Sequence, residues 1–107
     1  MTGFADKTAI VTGAGSGLGE AIGKALAARG ANVVVSDINL ESVERVASEI
    51  EGAGGTASAV RQDTAKPEDS KRVVRHAVDR FGALHFAVNN AGIGGAQAPT
   101  GEIDLED

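Results

Sequence analysis

Cysteine, tyrosine and tryptophan are absent from the 107 residues, and proline occurs only twice. Without cysteine there is no disulfide framework and no thiolate metal site. The two histidines, His76 and His85, stand nine positions apart and form no metal-binding motif. No window approaches the ~18 consecutive apolar residues that suggest a membrane span. The opening MTGFADKTAIV lacks the basic region and apolar run of a secretory signal, so the cytoplasm is the expected compartment. Positive charge is also scarce. Ten Lys and Arg face 15 Asp and Glu, a net −5, which argues against nucleic acid and against an anionic membrane as partners. What is abundant is glycine, 15 residues, about twice the usual share. With 42% hydrophobic and 23% charged residues, the chain has the composition of one folded domain.

Apolar runs alternate with helical periods. Thr8–Thr12 is short and β-branched and reads as a buried strand. Leu18, Ile22, Ala25 and Leu26 then recur at helical spacing over 17–29, and Gly30 stands where a helix ends. Residues 33–35 form a second strand. Leu40, Val43, Val46, Ala47 and Ile50 mark a second helix, with Asn39 as its N-cap and Gly52, Gly54 and Gly55 as breakers. Thr56–Arg61 is a weaker third strand. Pro67 opens a third helix, where its missing N–H costs nothing, and Val73, Val74, Ala77, Val78 and Phe81 are its expected inner face. Residues 84–88 are a fourth strand. No period holds from Asn89 on, and Glu102, Asp104, Glu106 and Asp107 read as the start of a further helix. The alternation predicts an α/β fold: a doubly wound, Rossmann-like parallel sheet of order 3-2-1-4 with helices on both faces.

The first strand runs directly into Thr12-Gly13-Ala14-Gly15-Ser16-Gly17-Leu18-Gly19, which opens the first helix. A helix N-terminus presents free N–H groups and partial positive charge, and glycines let a diphosphate approach the backbone. The spacing is Gly13-x-x-x-Gly17-x-Gly19 rather than GxGxxG, and no Walker loop is present. The plain alternative is a tight strand-to-helix turn without a ligand. Asp37 closes the second strand, 24 positions beyond Gly13. A carboxylate there can accept both adenosine ribose hydroxyls and would repel a 2′-phosphate. Position 16 is Ser and no Lys or Arg adjoins Asp37, so NAD is favoured over NADP. The alternative for Asp37 is a capping role at the second helix.

The glycine segment at 12–19, Asp63 after the third strand and Asn89-Asn90-Ala91-Gly92 after the fourth together resemble the short-chain dehydrogenase/reductase family, in its N-terminal, nucleotide-binding part. The resemblance implies that Gly13, Gly17 and Gly19 shape a phosphate turn. Ser16 and Leu18 would contact ribose and diphosphate, Leu18 through its N–H. Asp63 would accept from the adenine amino group with Thr64 beside it. Asn89 would tie the fourth strand to its neighbours and line the cleft, with Ala91 and Gly92 close to the ribose. Hydride transfer between a nicotinamide and a small-molecule alcohol or ketone is implied, as is a homo-oligomer for a full-length member.

The family's acid/base group is a Tyr with a Lys four residues on, aided by a Ser and an Asn. This chain has no Tyr, and Lys7, Lys24, Lys66 and Lys71 all precede the Asn89–Gly92 motif. We therefore assign no catalytic residue. Family members usually run to about 250 residues, which the resemblance implies here too. The expectation is a partial chain, residues 1–107 of one nucleotide-binding domain, that binds cofactor weakly or not measurably and turns nothing over alone. Its fourth strand would be an exposed apolar edge prone to association. Two rival readings remain: a stand-alone dinucleotide-binding module without catalysis, and an S-adenosylmethionine methyltransferase on the same sheet. The stretch 93–99 loosely resembles members acting on cyclic or secondary alcohols. His76 is expected to face solvent, and His85 to be buried and hydrogen-bonded.

Overall fold

The structure, a computed structural model, describes residues 4–90 and the backbone strand at 103–104. Four strands, β1 (Thr8–Thr12), β2 (Asn32–Asp37), β3 (Thr56–Arg61) and β4 (Phe86–Val88), lie parallel in the order β3-β2-β1-β4. This is the expected doubly wound arrangement. A two-residue β5 (Ile103–Asp104) adds antiparallel to β4, pairing Ala87 with Asp104 and Val88 with Ile103. Asp104 therefore lies in a strand rather than at the start of a helix, while Glu102, Glu106 and Asp107 lie outside the described residues. The outer edge of β4 is also paired where a bare edge was expected.

The three helices are α1 (Gly17–Ala28), α2 (Leu40–Gly52) and α3 (Pro67–Phe81). Alternation along the strands sends Val11, Val33, Val35 and Val88 to one face, where α1 and α2 meet them with Ala27, Val43, Val46 and Ile50. Ile10, Val34 and Val60 go to the other face, under Val73 and Ala77 of α3. Both faces are covered, so the strands carry no polar side and β1 is buried throughout. Asn39 caps α2 as expected, its side chain accepting from the Ser42 N–H at 3.2 Å.

Three further expectations change. The inward stripe of α1 is Gly19, Gly23 and Ala27, with Ile22 and Leu26 only partly buried; Leu18 is 56% exposed and Ala25 is exposed. Small residues face the sheet because the helix lies close to it: a Cβ at Gly23 would come within 3.2 Å of Val35 Cγ1. A search for large apolar residues at helical spacing misses such a stripe. On α3, Val74 and Val78 are exposed rather than packed inward. The histidines differ from expectation in burial, though His85 is hydrogen-bonded as expected. His76 is half-buried, its Nε2 hydrogen-bonded with Ser58 Oγ at 2.8 Å, while His85 is exposed and its Nδ1 accepts from the Thr8 N–H at 2.9 Å.

Candidate functional site

Register brings the carboxyl ends of the strands level: Val11 stands opposite Val88, Thr12 opposite Ser36, and Asp37 opposite Arg61. β2 and β4 flank β1 on opposite sides, so the strand order reverses at β1. Crevices at such reversals are where open α/β sheets bind ligands. A cavity of about 290 Å³ opens at the carboxyl ends of β1, β2 and β3, lined by Gly13, Ser36, Asp37, Gln62, Asp63 and Thr64 among others. A roomier hollow of about 640 Å³ lies over α3, beside Val74 and Val78, away from these convergent polar groups.

The turn from β1 to α1 is built from conformation and close approach. Gly13 (φ 62°) and Gly17 (φ 59°) occupy the left-handed region. Gly19 is buried because a Cβ there would overlap the Gly13 carbonyl and stand 2.5 Å from Asn90 Nδ2. Ser16 is the N-cap residue of α1, extended and exposed, and its hydroxyl makes no capping bond. The first N–H groups of a helix have no intrahelical acceptor, so this turn offers donors at an open surface. Leu18 and Ser16 share that exposed first turn.

Asp37 is half-buried and already held. Oδ2 accepts from the Gly15 N–H at 3.0 Å and Oδ1 from the Asn39 N–H at 3.2 Å. Both the loop and the helix-entry contact are therefore real. An ionised carboxylate has about four acceptor positions, so two remain for a ligand. Asp63 is fixed similarly: Oδ1 accepts from the Ala65 N–H at 3.0 Å, and its own N–H donates to Asp69 Oδ2 at 2.9 Å. That N–H holds the Asp69 carboxyl below its usual range, with the Arg72 charge adding to it. Thr64 beside Asp63 is exposed. Asn89 Oδ1 accepts from Thr12 Oγ1 at 3.2 Å, joining the ends of β4 and β1. Ala91 and Gly92 lie outside the described residues.

Sequence reasoning assigned no role to several side chains that build this site. Asn90 donates from Nδ2 to the Gly13 carbonyl at 3.1 Å and so fastens the glycine turn to the end of β4. Gln62 is buried beneath the crevice; Ser36 Oγ donates to its Oε1 at 2.7 Å, and its Nε2 donates to Ser70 Oγ at 3.2 Å. A polar pair at the ends of otherwise apolar strands was the available signal. Arg45 reaches from α2 to the Gly15 carbonyl at 3.0 Å. It also pairs with Glu20 and Glu49, which Lys24 joins. Hydrogen bonds from Arg45 and then Lys24 pull the Glu20 carboxyl from an ordinary 4.5 down to about 2. Lys24 and then Arg45 lower Glu49 as well.

A carboxylate depressed in the folded state stabilises it above the unfolded value, and that contribution disappears as pH falls through the folded one. The urea midpoint is therefore expected to drop between about pH 4.5 and pH 2. Glu20→Gln should flatten this part of the profile; an unchanged slope would show that Glu20 is not held by its partners in solution.

The comparisons with known proteins agree with this geometry. Residues 7–107 match the family model described as short chain dehydrogenase. The chain belongs to the short chain dehydrogenase family. It is 52% identical over 103 residues to a cyclohexanol dehydrogenase of Acinetobacter sp. (strain SE19), covering 96% of this chain and 41% of that one. A dehydrogenase/reductase from Sinorhizobium meliloti 1021 superposes with TM-score 0.80 at 44% identity, covering 83% of this chain and 36% of that one. A short chain dehydrogenase/reductase from Burkholderia phymatum, solved in complex with NAD, superposes with TM-score 0.76 at 30% identity, over 81% of this chain and 31% of that one. The chain thus spans about two-fifths of the length of that cyclohexanol dehydrogenase. Among the described residues, no three His, Asp or Glu side chains gather into a metal-binding group, and no helix is long and apolar enough to cross a membrane.

Proposed function

We propose that residues 1–107 form the N-terminal part of one dinucleotide-binding domain, serving an NAD-dependent oxidoreductase that acts on a small alcohol or ketone. The observation that carries this reading is Asp37, fixed by two backbone donors, one of them in the glycine turn, beside a cavity that Gly13 also lines. The fit is steric as well. The turn is drawn in so tightly that position 19 has no room for a Cβ, leaving the first turn of α1 open to an anion. Gly13, Ser16, Gly17, Leu18 and Gly19 would cradle the diphosphate and its ribose. Asp37 would take the adenosine ribose hydroxyls, Asp63 and Thr64 the adenine, and Asn89, Ala91 and Gly92 the nicotinamide side. When bound, the nicotinamide supplies the hydride donor or acceptor. A cyclic or secondary alcohol is the substrate class we favour, in keeping with the similarity to a cyclohexanol dehydrogenase. A homo-oligomer acting in the cytoplasm completes this reading.

The absence of tyrosine favours a second reading, a binding module without catalysis. One pair of measurements addresses both. The adenosine and diphosphate subsites fall largely within the described residues, so ADP-ribose is the suitable probe. Titrating the ¹⁵N-labelled chain with ADP-ribose at millimolar concentration should shift the amides of Gly13, Gly19, Asp37 and Asp63. Unmoved amides there would overturn the proposal. The same 107-residue preparation, verified by mass, should form no NADH from cyclohexanol, because these residues include no Tyr and no Lys beyond Asn89 to act as the general acid/base pair that the family uses. Turnover above a no-protein blank would reveal a catalytic group absent from this account.

A further inference from the structure

Gly15 is pinned from both sides by side chains distant in sequence. Its N–H donates to Asp37 Oδ2 at 3.0 Å, and its carbonyl accepts from Arg45 Nη2 at 3.0 Å. There is no slack around it: a Cβ at Gly15 would stand 2.7 Å from Ser42 Cβ and 2.9 Å from Asp37 Oδ2. The loop is thus pressed onto the first turns of α2. The peptide linking Gly15 to Ser16 is planar and trans, so its C=O and N–H point in opposite directions. With the carbonyl held on Arg45, the Ser16 N–H is turned off α2, on a residue that is exposed and opens α1.

The guanidinium can hold this direction because it is itself held. Nη2 also donates to Glu20 Oε1 at 3.0 Å, and Nη1 donates to Glu20 Oε2 at 3.3 Å and to Glu49 Oε2 at 3.2 Å. This is a planar fork used on several partners at once, a geometry that an ammonium does not reproduce. Lys24 pairs with the same two carboxylates, so two acids face two bases and the cluster is neutral overall. Arg45 is therefore poorly suited to attract an anion by charge, and its contact with the loop is one of direction.

We propose that Arg45 is a positioning residue of the dinucleotide cradle, fixing the Gly15–Ser16 peptide so that the Ser16 N–H is presented to the diphosphate. This deepens the proposed function and rests on it. A ligand with the diphosphate should feel the loss of Arg45, whereas adenosine, which lacks it, should not. Arg45→Gln is expected to weaken ADP-ribose about three- to tenfold, the worth of one backbone hydrogen bond to a ligand, with adenosine binding unchanged. Lys24→Gln removes charge pairs from the same cluster but leaves every contact of Arg45, including that with Gly15. It should lower the unfolding midpoint without altering the ratio of ADP-ribose to adenosine affinity. Should Arg45→Gln fail to fold, Arg45→Lys keeps the charge while losing the fork, and the same change in ratio is expected. An unchanged ratio in the Arg45 variant, or an equal change in Lys24→Gln, overturns the proposal while leaving dinucleotide binding intact. A wild-type chain that binds neither ligand removes the parent reading and this one together.

Discussion

Gly19→Ala is expected to abolish measurable ADP-ribose binding, and Gly19→Val to do so with a larger loss of stability. The reason is steric. A Cβ at position 19 overlaps the Gly13 carbonyl and stands 2.5 Å from Asn90 Nδ2, and neither neighbour is the free end of a flexible side chain. Gly13 O is backbone at the start of the turn, and Asn90 Nδ2 is committed to that same oxygen at 3.1 Å. Relief requires the turn to open, which separates the groups that would surround the diphosphate. Overpacking of this kind costs about 1–3 kcal/mol. If that strain falls on the bound arrangement, affinity falls by roughly ten- to a hundredfold at ~1.4 kcal/mol per decade. Gly17 provides the contrast. Its φ is 59°, and a Cβ there meets nothing within 4 Å. Gly17→Ala should therefore cost about 1–2 kcal/mol of backbone strain, part of which Gly17→Asn recovers because Asn tolerates this region. No side chain recovers Gly19. Titrations and urea midpoints on the four variants separate the two causes. Wild-type affinity in Gly19→Ala would mean that the diphosphate does not rest on this turn.

The same turn shows what a sequence can disclose. Strand order, the placement of α2 and the cap at Asn39 follow from local signals: β-branched runs, a clean apolar period, and a side chain whose oxygen meets a helix N–H. The inward face of α1 did not follow, because Gly19 and Gly23 are buried by virtue of having no side chain. Hydrophobic periodicity detects large residues and overlooks glycine, whose role shows only when a carbonyl or a valine is found against it. Of the residues that would meet a ligand first, Gly13 and Asp37 could be named from their spacing, and Ser16 and Asp63 from the family resemblance. The contacts that hold them could not. Asn90 bonds to a carbonyl 77 positions away, and Arg45 to one 30 positions away. Gln62 is held between Ser36 and Ser70, partners on different elements. Asn90 could be picked out as part of Asn89-Asn90-Ala91-Gly92, but its partner, like those of Arg45 and Gln62, is set by how elements pack. Val74 and Val78 show the converse: their periodicity predicts burial, yet both lie exposed on α3.

Asp37 carries the other large expected effect, a preference for ADP-ribose over its 2′-phosphorylated form. Two unit charges about 4 Å apart repel by up to roughly 4 kcal/mol at an effective dielectric near 20, a ceiling of about three decades in affinity. Whether the protein offsets this depends on nearby cations. Arg45 approaches the far side of Gly15, but its ion pairs run to Glu20 and Glu49, whose charges balance it together with Lys24. Asp37→Ala alone gives an ambiguous result, because the Gly15 and Asn39 N–H groups lose their acceptor and each unpaired donor costs about 1–3 kcal/mol if buried. The informative variant joins Asp37→Ala to Ile38→Arg. Ile38 is 55% exposed and lines the same cavity, so an arginine there can reach a 2′-phosphate without displacing core. Loosening of the turn weakens both ligands together and leaves their ratio alone; only a change of charge at the ribose moves the ratio. The double variant should narrow or reverse the preference, read by calorimetry or amide shifts with each ligand in turn. A wild-type chain that binds the 2′-phosphorylated ligand more tightly would show that the Asp37 carboxylate does not face the ribose.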